Sequence, residues 1–485
     1  MKKILIIFAA AILLPFTFHL SPCQAQYNET NNLFYHSLRT PQSNDLNAAF
    51  FPTKTSFYLR LPSIGMQFGS PLSMHDMLSN QGDTLTVINL NKIFNSLGTD
   101  NNLHFDADIN LFGLGFKVNN LFFTFNSRIV TILNLNIPSS LIDAVRQGNS
   151  DASGNPISEV VMLNGDIFNS TMYAEMAFGA GYRIEPINLT VGARIKYLYG
   201  LANVQTDNTS AVLTTSPGFN EIRADIYYEF LTAGVAKLDS NGMSFDSKNL
   251  LKGNRGFSFD IGARYDMGPF SFSFALNDLS AGIHWNQNIS TIHPKDDHIT
   301  LTFGGEDATT MLHGGHLNSD SLVAYYQNIF NGIRPSTSTS SADYWYSIPT
   351  KINLGANYSF AKKFRAGILF HGQLDRGLFS KKNVRDINVA DVRNTFRFNT
   401  TLSFGVNLFN WAELIVGSSA VYDGSKLDLL NPGVGVVFTP ATILQIYLMG
   451  DYISSFYLTE AKDFNIKFGM NILFGHGDDG RMSQD

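Results

Sequence analysis

The stretch DFNIKFGMNILFG, residues 463 to 475, divides by parity. Phe464, Ile466, Phe468, Met470, Ile472 and Phe474 fall on one face of an extended strand, and Asn465, Lys467, Gly469 and Asn471 on the other. Leu473 alone breaks the pattern. A soluble sandwich can carry such a strand with its apolar face on a core, and a membrane barrel can carry it with that face on lipid and the polar face on a lumen. The same two-residue period returns along the chain. In FSFDIGARY the apolar set is Phe257, Phe259, Ile261, Ala263 and Tyr265, with Ser258, Asp260, Gly262 and Arg264 opposite. KINLGANYSF sets Lys351, Asn353, Gly355, Asn357 and Ser359 against its apolar residues, and RFNTTLSFGVNLF sets Arg397, Asn399, Thr401, Ser403, Gly405 and Asn407 against Phe398, Leu402, Phe404, Val406 and Leu408. LTVGARIKYLYG and MYAEMAFGAGYRI place Arg194, Lys196, Glu175 and Arg183 on the polar side. In LHFDADINLFGLGFKV the phase changes near Leu111 and Phe112, the signature of a bulge.

The connections decide between sandwich and barrel. Short ones, Asn119-Asn120, Glu185-Pro186, Met267-Gly268-Pro269, Ala361-Lys362-Lys363, Asn410-Trp411 and Thr439-Pro440-Ala441, alternate with long ones near 70–102, 137–169, 207–255, 286–345, 377–394, 424–431 and 457–462. A soluble sandwich has no reason to sort its loops this way. A transmembrane antiparallel β-barrel does, and the sorting predicts an all-β fold of about 14 strands with both termini on the short-turn side. IRADIYYEF (222–230) and HITLTF (298–303) fall outside that count. They are expected in external loops as extensions of the wall, and 16 strands is the alternative. Trp285 and Trp345 flank one long loop and Trp411 sits at a short turn, positions expected for interfacial girdles. IPSSLIDAVRQG and SDSLVAYYQNIFNG carry short helical patterns in external loops; the first has Pro138, capping serines and a terminal Gly148.

Composition agrees with a lipid-facing wall. Charged residues are 15% of the chain against roughly a quarter in soluble domains, aromatics are 13%, and there are 40 Phe and 40 Gly. After residue 25 no apolar run reaches about 18 residues, which excludes spanning helices. Lys2 and Lys3 precede the apolar run ILIIFAAAILLPFTF, and Cys23-Gln24-Ala25 offers small residues at a cleavage site, so residues 1–25 read as a secretory signal peptide. A lipoprotein signal ending at Cys23, the only cysteine, is the alternative, with Pro22 a poor fit before it. The net charge is −6, and −8 once Lys2 and Lys3 leave with the leader, which argues against a nucleic-acid partner. The expected divisions are 1–25 signal, 26–52 an N-terminal plug, 53–475 the barrel and 476–485 a loose tail, with the protein in the outer membrane of a Gram-negative bacterium.

No G-x-S-x-G elbow, phosphate loop or zincin motif occurs, and without Cys23 there is no thiol nucleophile, so no enzyme and no cofactor is expected. The loop 286–345 holds His293, His298, His313 and His316 with Asp296, Asp297, Glu306 and Asp307 nearby. His313-Gly-Gly-His316 offers two imidazoles but no fixed third ligand, so a solvated loop is preferred to a metal site. The charged residues expected inside the barrel are Asp106, Asp108, Glu175, Arg183, Arg194, Lys196, Asp260, Arg264, Lys351, Arg397 and Lys467. Of these Glu175, Arg183, Arg194, Lys196, Asp260, Arg264 and Arg397 are the candidates to line a lumen or meet a ligand. The competing reading makes them structural, opposite charges paired across a narrow lumen. The parity of the last strand predicts that Phe468→Arg is costly and that Asn471→Arg is tolerated.

Ahead of the first strand, QSNDLNAAFFPT at 42–53 resembles the Asn-Pro-Ala segment of the long-chain fatty acid transporter (FadL-like) family and of its PorV-like relatives in secretion machinery; Asn47 and Ala49 match, and Ala48 stands for the proline. The whole mature chain also resembles a Bacteroidota outer-membrane barrel family of unknown function. The first resemblance implies a 14-stranded barrel with a hatch in its lumen. Two functions follow as expectations: a barrel that binds or transports a small hydrophobic molecule, or an adaptor that docks a partner surface or periplasmic protein through its long loops. The partners expected are outer-membrane lipid and one of those two.

Overall fold

The computed structural model describes residues 31–475 except 54, 74–77, 82–84, 89–92, 94–96, 98–100, 152, 165–166, 220, 240–241, 246–252, 295–298, 305–311, 314–315, 318–334, 339–341, 361–362, 375–395, 410, 423–426, 441–442 and 452–461. The expected leader, residues 26–30, the helical pattern at 319–332 and the tail at 476–485 lie outside the described residues, as do His298, Asp296, Asp297, Glu306 and Asp307.

Fourteen antiparallel strands close into one barrel. β1 is Phe57–Arg60 continued by Ser63–Gly69, β2 Asn102–Val118, β3 Leu121–Asn136, β4 Phe168–Ile184, β5 Leu189–Thr215, β6 Arg255–Met267 and β7 Phe270–Trp285. β8 is Thr350–Phe360, β9 Phe364–Leu374, β10 Phe396–Phe409, β11 Ala412–Tyr422, β12 Leu427–Phe438, β13 Leu444–Asp451 and β14 Asp463–Phe474. Each pairs with its sequence neighbour, and β1 closes the ring on β14 from Phe57↔Phe474 to Gly69↔Asp463. Closure leaves no unpaired edge inside the membrane, where every backbone amide must find a partner within the protein. Among the described residues no helix is long and apolar enough to cross a membrane.

Burial follows parity. On β14, Ile466 and Phe468 are 41% and 46% exposed, while Asn465, Lys467 and Asn471 are buried. The exposed large apolar residues continue around the outside, for example Ile109, Phe178, Ile195, Phe259, Leu402 and Leu448. A soluble protein does not expose an apolar belt of this extent, so the belt is the lipid face. Leu473, which broke the alternation, obeys the face: it points inward and is fully buried. The phase change in β2 is a bulge opposite β3 between Asn110 and Phe112, and it leaves both Leu111 and Phe112 exposed. The described short turns after β2, β4 and β6 are tight, with left-handed Asn119, Asn188 and Gly268.

On the long-loop side the wall continues past the belt. β5 runs on to Thr215 and pairs with Glu221–Gly234, which in turn pairs with Ser290–Pro294 and Ile299–Gly304. IRADIYYEF and ITLTF therefore extend the wall outside the membrane. A helix, α1, spans Ser139–Gln147 and ends at Gly148 with φ 67°; its serines do not cap it, and the Ser140 hydroxyl donates instead to the Met162 carbonyl at 2.9 Å.

One tryptophan departs from expectation. Trp411 is exposed and stacks on Phe409, as a girdle residue should, and Trp345 stacks on His284. Trp285 is fully buried inside the wall. Distance along a strand sets depth, but parity sets the face, and Trp285 shares its parity with Ser271 and Ser273 of the inner face.

Candidate functional site

The lumen is the candidate site, and residues 31–50 occupy it. They form two short 3-10 turns, Asn32–His36 and Pro41–Asp45, and are almost wholly buried. At the long-loop end the Asp451 carboxylate accepts the amides of Asn32 (2.6 Å) and Leu33 (3.3 Å), and Asn32 Nδ2 donates to Asn399 Oδ1 at 2.7 Å. The chain then descends. His36 Nδ1 meets Asn357 Oδ1 at 3.0 Å, and the Ser37 hydroxyl donates to Glu413 Oε2 at 2.9 Å near the short-turn end. It rises again to Asp45, whose carboxylate takes a two-pronged contact from Arg60 at 2.8 and 2.7 Å. Leu33, Phe34, Tyr35, Leu46 and Phe50 pack on Leu369, Ile415, Val437, Tyr447 and Met449 of the wall.

Asn47 and Ala49, the residues of the plug motif, lie in a turn set against the wall. Asn47 Nδ2 donates to the carbonyls of Ala263 and Phe274, both at 3.2 Å, and its Oδ1 accepts the Ala49 amide at 2.8 Å. This turn fits because the wall facing it is glycine: a Cβ on Gly192 would lie 2.1 Å from the Ala48 carbonyl oxygen, and one on Gly262 2.0 Å from Asn47 Oδ1. Gly192 thus marks where plug backbone meets the wall, and Gly262 makes room for the Asn47 amide.

A belt of charge surrounds the upper part of this segment, one strand after another. Arg128 of β3 holds Glu175 of β4 through Nε (3.0 Å) and a terminal nitrogen (2.8 Å). Arg194 Nε of β5 lies 2.8 Å from Asp260 Oδ2 of β6, and Lys196 Nζ bridges Asp260 (3.0 Å) and Asp278 of β7 (2.6 Å). Lys351 of β8 reaches Asp278 at 3.4 Å. Arg194 also donates to Asn44 Oδ1 and to the Asp45 carbonyl, each at 3.2 Å, and so ties belt to segment. Elsewhere Lys467 pairs with Asp108 and Arg365 with Glu413. The pairs run around the wall, not across the lumen as the sequence suggested: Arg128 and Glu175 are register partners, and so are Arg194 and Asp260. Adjacent strands set facing side chains about 5 Å apart, whereas the lumen centre is already filled.

Not all candidates join the belt. Arg183 and Arg264 lie at the short-turn rim around Asp266, at 3.8 and 2.8 Å, half-buried; Arg264 also sits 6.0 Å over the Phe50 ring. Arg397 pairs in register with Gln373, and its side chain is outside the described residues. His313 and His316 are backbone register partners, and His293 Nδ1 contacts the Pro294 carbonyl at 2.9 Å. Among the described residues no group of three or more His, Cys, Asp or Glu is placed to hold a metal. Asn471 is not the free lumen position its parity suggested: it is fully buried and its amide donates to Gln42 and Gln445 at 3.0 and 2.9 Å, so an arginine there would displace the segment.

Sequence reasoning missed Arg128, Asp278, Asp45 and Arg60. Arg128 was findable, since it shares parity with Thr124 and Asn126. Asp278 was not, because it lies in a double irregularity of β7 where Asp278 (φ 58°) and Ser280 (φ 55°) are left-handed and the register with β6 shifts twice. In the lumen segment, burial pushes the His36 imidazole down to about 3, Asn357 opposing and Arg365 assisting. Burial alone would raise the Asp45 carboxyl, but Arg60, with Lys467 and Arg194, holds it well below the usual carboxylate range.

Above the belt the inner face turns apolar. Val130, Ile132, Tyr173, Leu198, Ile283 and Trp285 form a buried cluster with Tyr344, Tyr346 and Ile348 at the long-loop end.

Fold and site together define a membrane-spanning β-barrel of the outer-membrane type whose lumen is filled by its own N-terminal segment. The chain belongs to the family of unknown function DUF5723, which matches residues 49–451. No curated protein matches it. Among solved structures it is similar to a Pseudomonas aeruginosa FadL homologue (10% identity, 94% of this chain and 99% of that chain, TM-score 0.43). It is also similar to the TodX deltaS2S3 mutant monoaromatic hydrocarbon channel (9%, 89% and 94%, TM-score 0.43) and to the Pseudomonas putida toluene transporter TodX (8%, 93% and 94%, TM-score 0.38). The barrel itself is defined by the strand pairing and burial above.

Proposed function

We propose that this outer-membrane barrel binds a small hydrophobic molecule at its long-loop end and passes it inward, with residues 26–52 acting as a plug. The observation that carries this reading is the inward-facing apolar cluster around Trp285. Inner-face residues of a barrel that only admitted polar solutes would be polar to the rim; here apolar and aromatic side chains lie above a belt of paired charges. A ligand seated there would shed water before it met the belt. Pairing of three cations, Arg128, Arg194 and Lys196, with three carboxylates, Glu175, Asp260 and Asp278, leaves the belt with a structural role. Arg183 and Arg264 at the short-turn rim stand apart as candidates to meet a ligand later on its way, and Arg397, near the long-loop start of β10, as a candidate to meet it on entry.

A second reading has its own support. The wall extension formed by Glu221–Gly234, Ser290–Pro294 and Ile299–Gly304 rises outside the membrane, and among the described residues Ile299–Gly304 is paired on one side only, which offers a partner protein a backbone edge. Native mass spectrometry of protein gently extracted from its own membrane separates the two. A reproducible small apolar adduct, lost in Trp285→Ala, supports transport; a stoichiometric protein companion without an adduct supports the adaptor and overturns the first reading.

A further inference from the structure

Next to the bonds from Arg194 to Asn44 and Asp45, one plug carbonyl, that of Leu46, meets the charged side of the wall twice. Leu46 O accepts Asn277 Nδ2 of β7 and Asn353 Nδ2 of β8, both at 2.9 Å, so both of its lone pairs are used. Those two bonds fix the orientation of both amides, because only nitrogen can face a carbonyl oxygen. Asn353 Oδ1 is therefore an acceptor, and it lies 2.6 Å from His371 Nδ1 of β9. The proton of a neutral His371 must then sit on Nδ1, which leaves Nε2 as a bare acceptor. Asn277 Oδ1 is a second bare acceptor by the same logic.

Both residues are buried, 2% and 3% exposed, and both line a cavity of about 10 Å³ shared with Leu46, Asn353 and belt charges of both signs, Arg128 and Lys351 with Glu175 and Asp278 among them. Among the described residues neither His371 Nε2 nor Asn277 Oδ1 has a hydrogen-bond partner. Two such acceptors left without a donor would each carry the full desolvation penalty of a buried, unsatisfied polar group. The site thus demands a donor, and its size and charge select which one.

We propose that this cavity is a binding site for one water molecule, which donates to His371 Nε2 and Asn277 Oδ1 and completes a polar clamp holding Leu46 to β7, β8 and β9. The volume suits one water and nothing larger, since about 10–15 Å³ of this measure is what one water requires. A metal ion is disfavoured because the lining carboxylates Asp45, Glu175 and Asp278 are already paired with Arg60, Arg128, Lys196 and Lys351, and among the described residues no three His, Cys, Asp or Glu are grouped to hold one. An anion is disfavoured by the two lone pairs that face it. A water oxygen can also accept from Arg128 or Lys351 while both its protons are engaged, which gives it three partners, the usual number for a buried water. This assignment does not depend on what the barrel carries.

Two measurements on the full chain in detergent test it. A structure at a resolution that shows ordered solvent should place one water within hydrogen-bond distance of both His371 Nε2 and Asn277 Oδ1. Nitrogen NMR with labelled histidine should assign His371 as the Nδ1-protonated tautomer, its Nε2 signal shifted from that of a free imine nitrogen by hydrogen bonding and linked to water protons by cross-relaxation. A dry cavity, a metal or halide peak in it, or a protonated Nε2 would overturn the proposal.

Discussion

Asp260 shows how charge is tolerated at the centre of this wall. It is fully buried, yet Arg194, Lys196 and the Asp278 amide (2.8 Å) meet both of its oxygens. Removing one member of such a cluster leaves the others uncompensated, so Asp260→Leu should cost about 3–5 kcal/mol in equilibrium unfolding from micelles, whereas Arg264→Ala at the half-buried rim should cost no more than about 1. Equal losses would mean that the belt is not desolvated as described. His36 makes a pH prediction. Its folded pKa, about 3, lies below the ordinary 6.5, so the stability that comes from burying it neutral is fully present above pH 6.5. It is lost as the pH falls from there toward 3, by about 1.4 kcal/mol per unit. Protease cleavage within residues 31–50 should accordingly accelerate over that range, and His36→Gln should flatten the dependence. At this scale parity made Glu175, Arg194, Lys196, Asp260, Lys351 and Lys467 legible as inward residues. It gave no view of their partners, because register and the path of the segment 31–50 are set by contacts far apart in sequence.

The strands were the most legible elements, since a side-chain period of two and turn residues at fixed places are local properties. Depth and face combine in one pair of expectations on β14. Phe468→Arg puts a charge into lipid and should cost about 2–4 kcal/mol, read by heat-modifiable gel mobility and unfolding. Asn471→Leu faces the segment instead and should cost about 1–3 kcal/mol through the polar groups of Gln42 and Gln445 that it strands, with the barrel still assembled. If Phe468→Arg were silent, the lipid-face assignment would fail. The glycines were legible as small inner positions but not for what they admit. Gly192→Val drives a side chain into the Ala48 carbonyl, and should expose residues 44–50 to hydrogen exchange while leaving strand content unchanged. The double irregularity of β7 left no mark in the sequence: Asp278 and Ser280 are ordinary strand neighbours on paper, and their left-handed geometry follows from the pairing of β7 with β6 on one side and β8 on the other.

As a whole the molecule is a lipid-facing cylinder stabilised from within. On one side of the lumen the segment 31–50 packs by apolar contact against β9, β11, β12 and β13; on the other it is held by hydrogen bonds to β5, β6, β7 and β8. The number of strands and their sidedness could be counted from loops sorted by length, while the degree to which the lumen is filled could not, because occupancy depends on how twenty residues fold against fourteen walls at once. The central claim is that the barrel is sealed by its own N-terminal segment, and ion conductance in planar bilayers tests it most directly. The intact protein should be electrically silent, and a variant lacking residues 31–50, shown to be folded by heat-modifiable mobility, should conduct steadily. A steadily conducting intact protein, or a folded deletion variant that stays silent, would contradict the account.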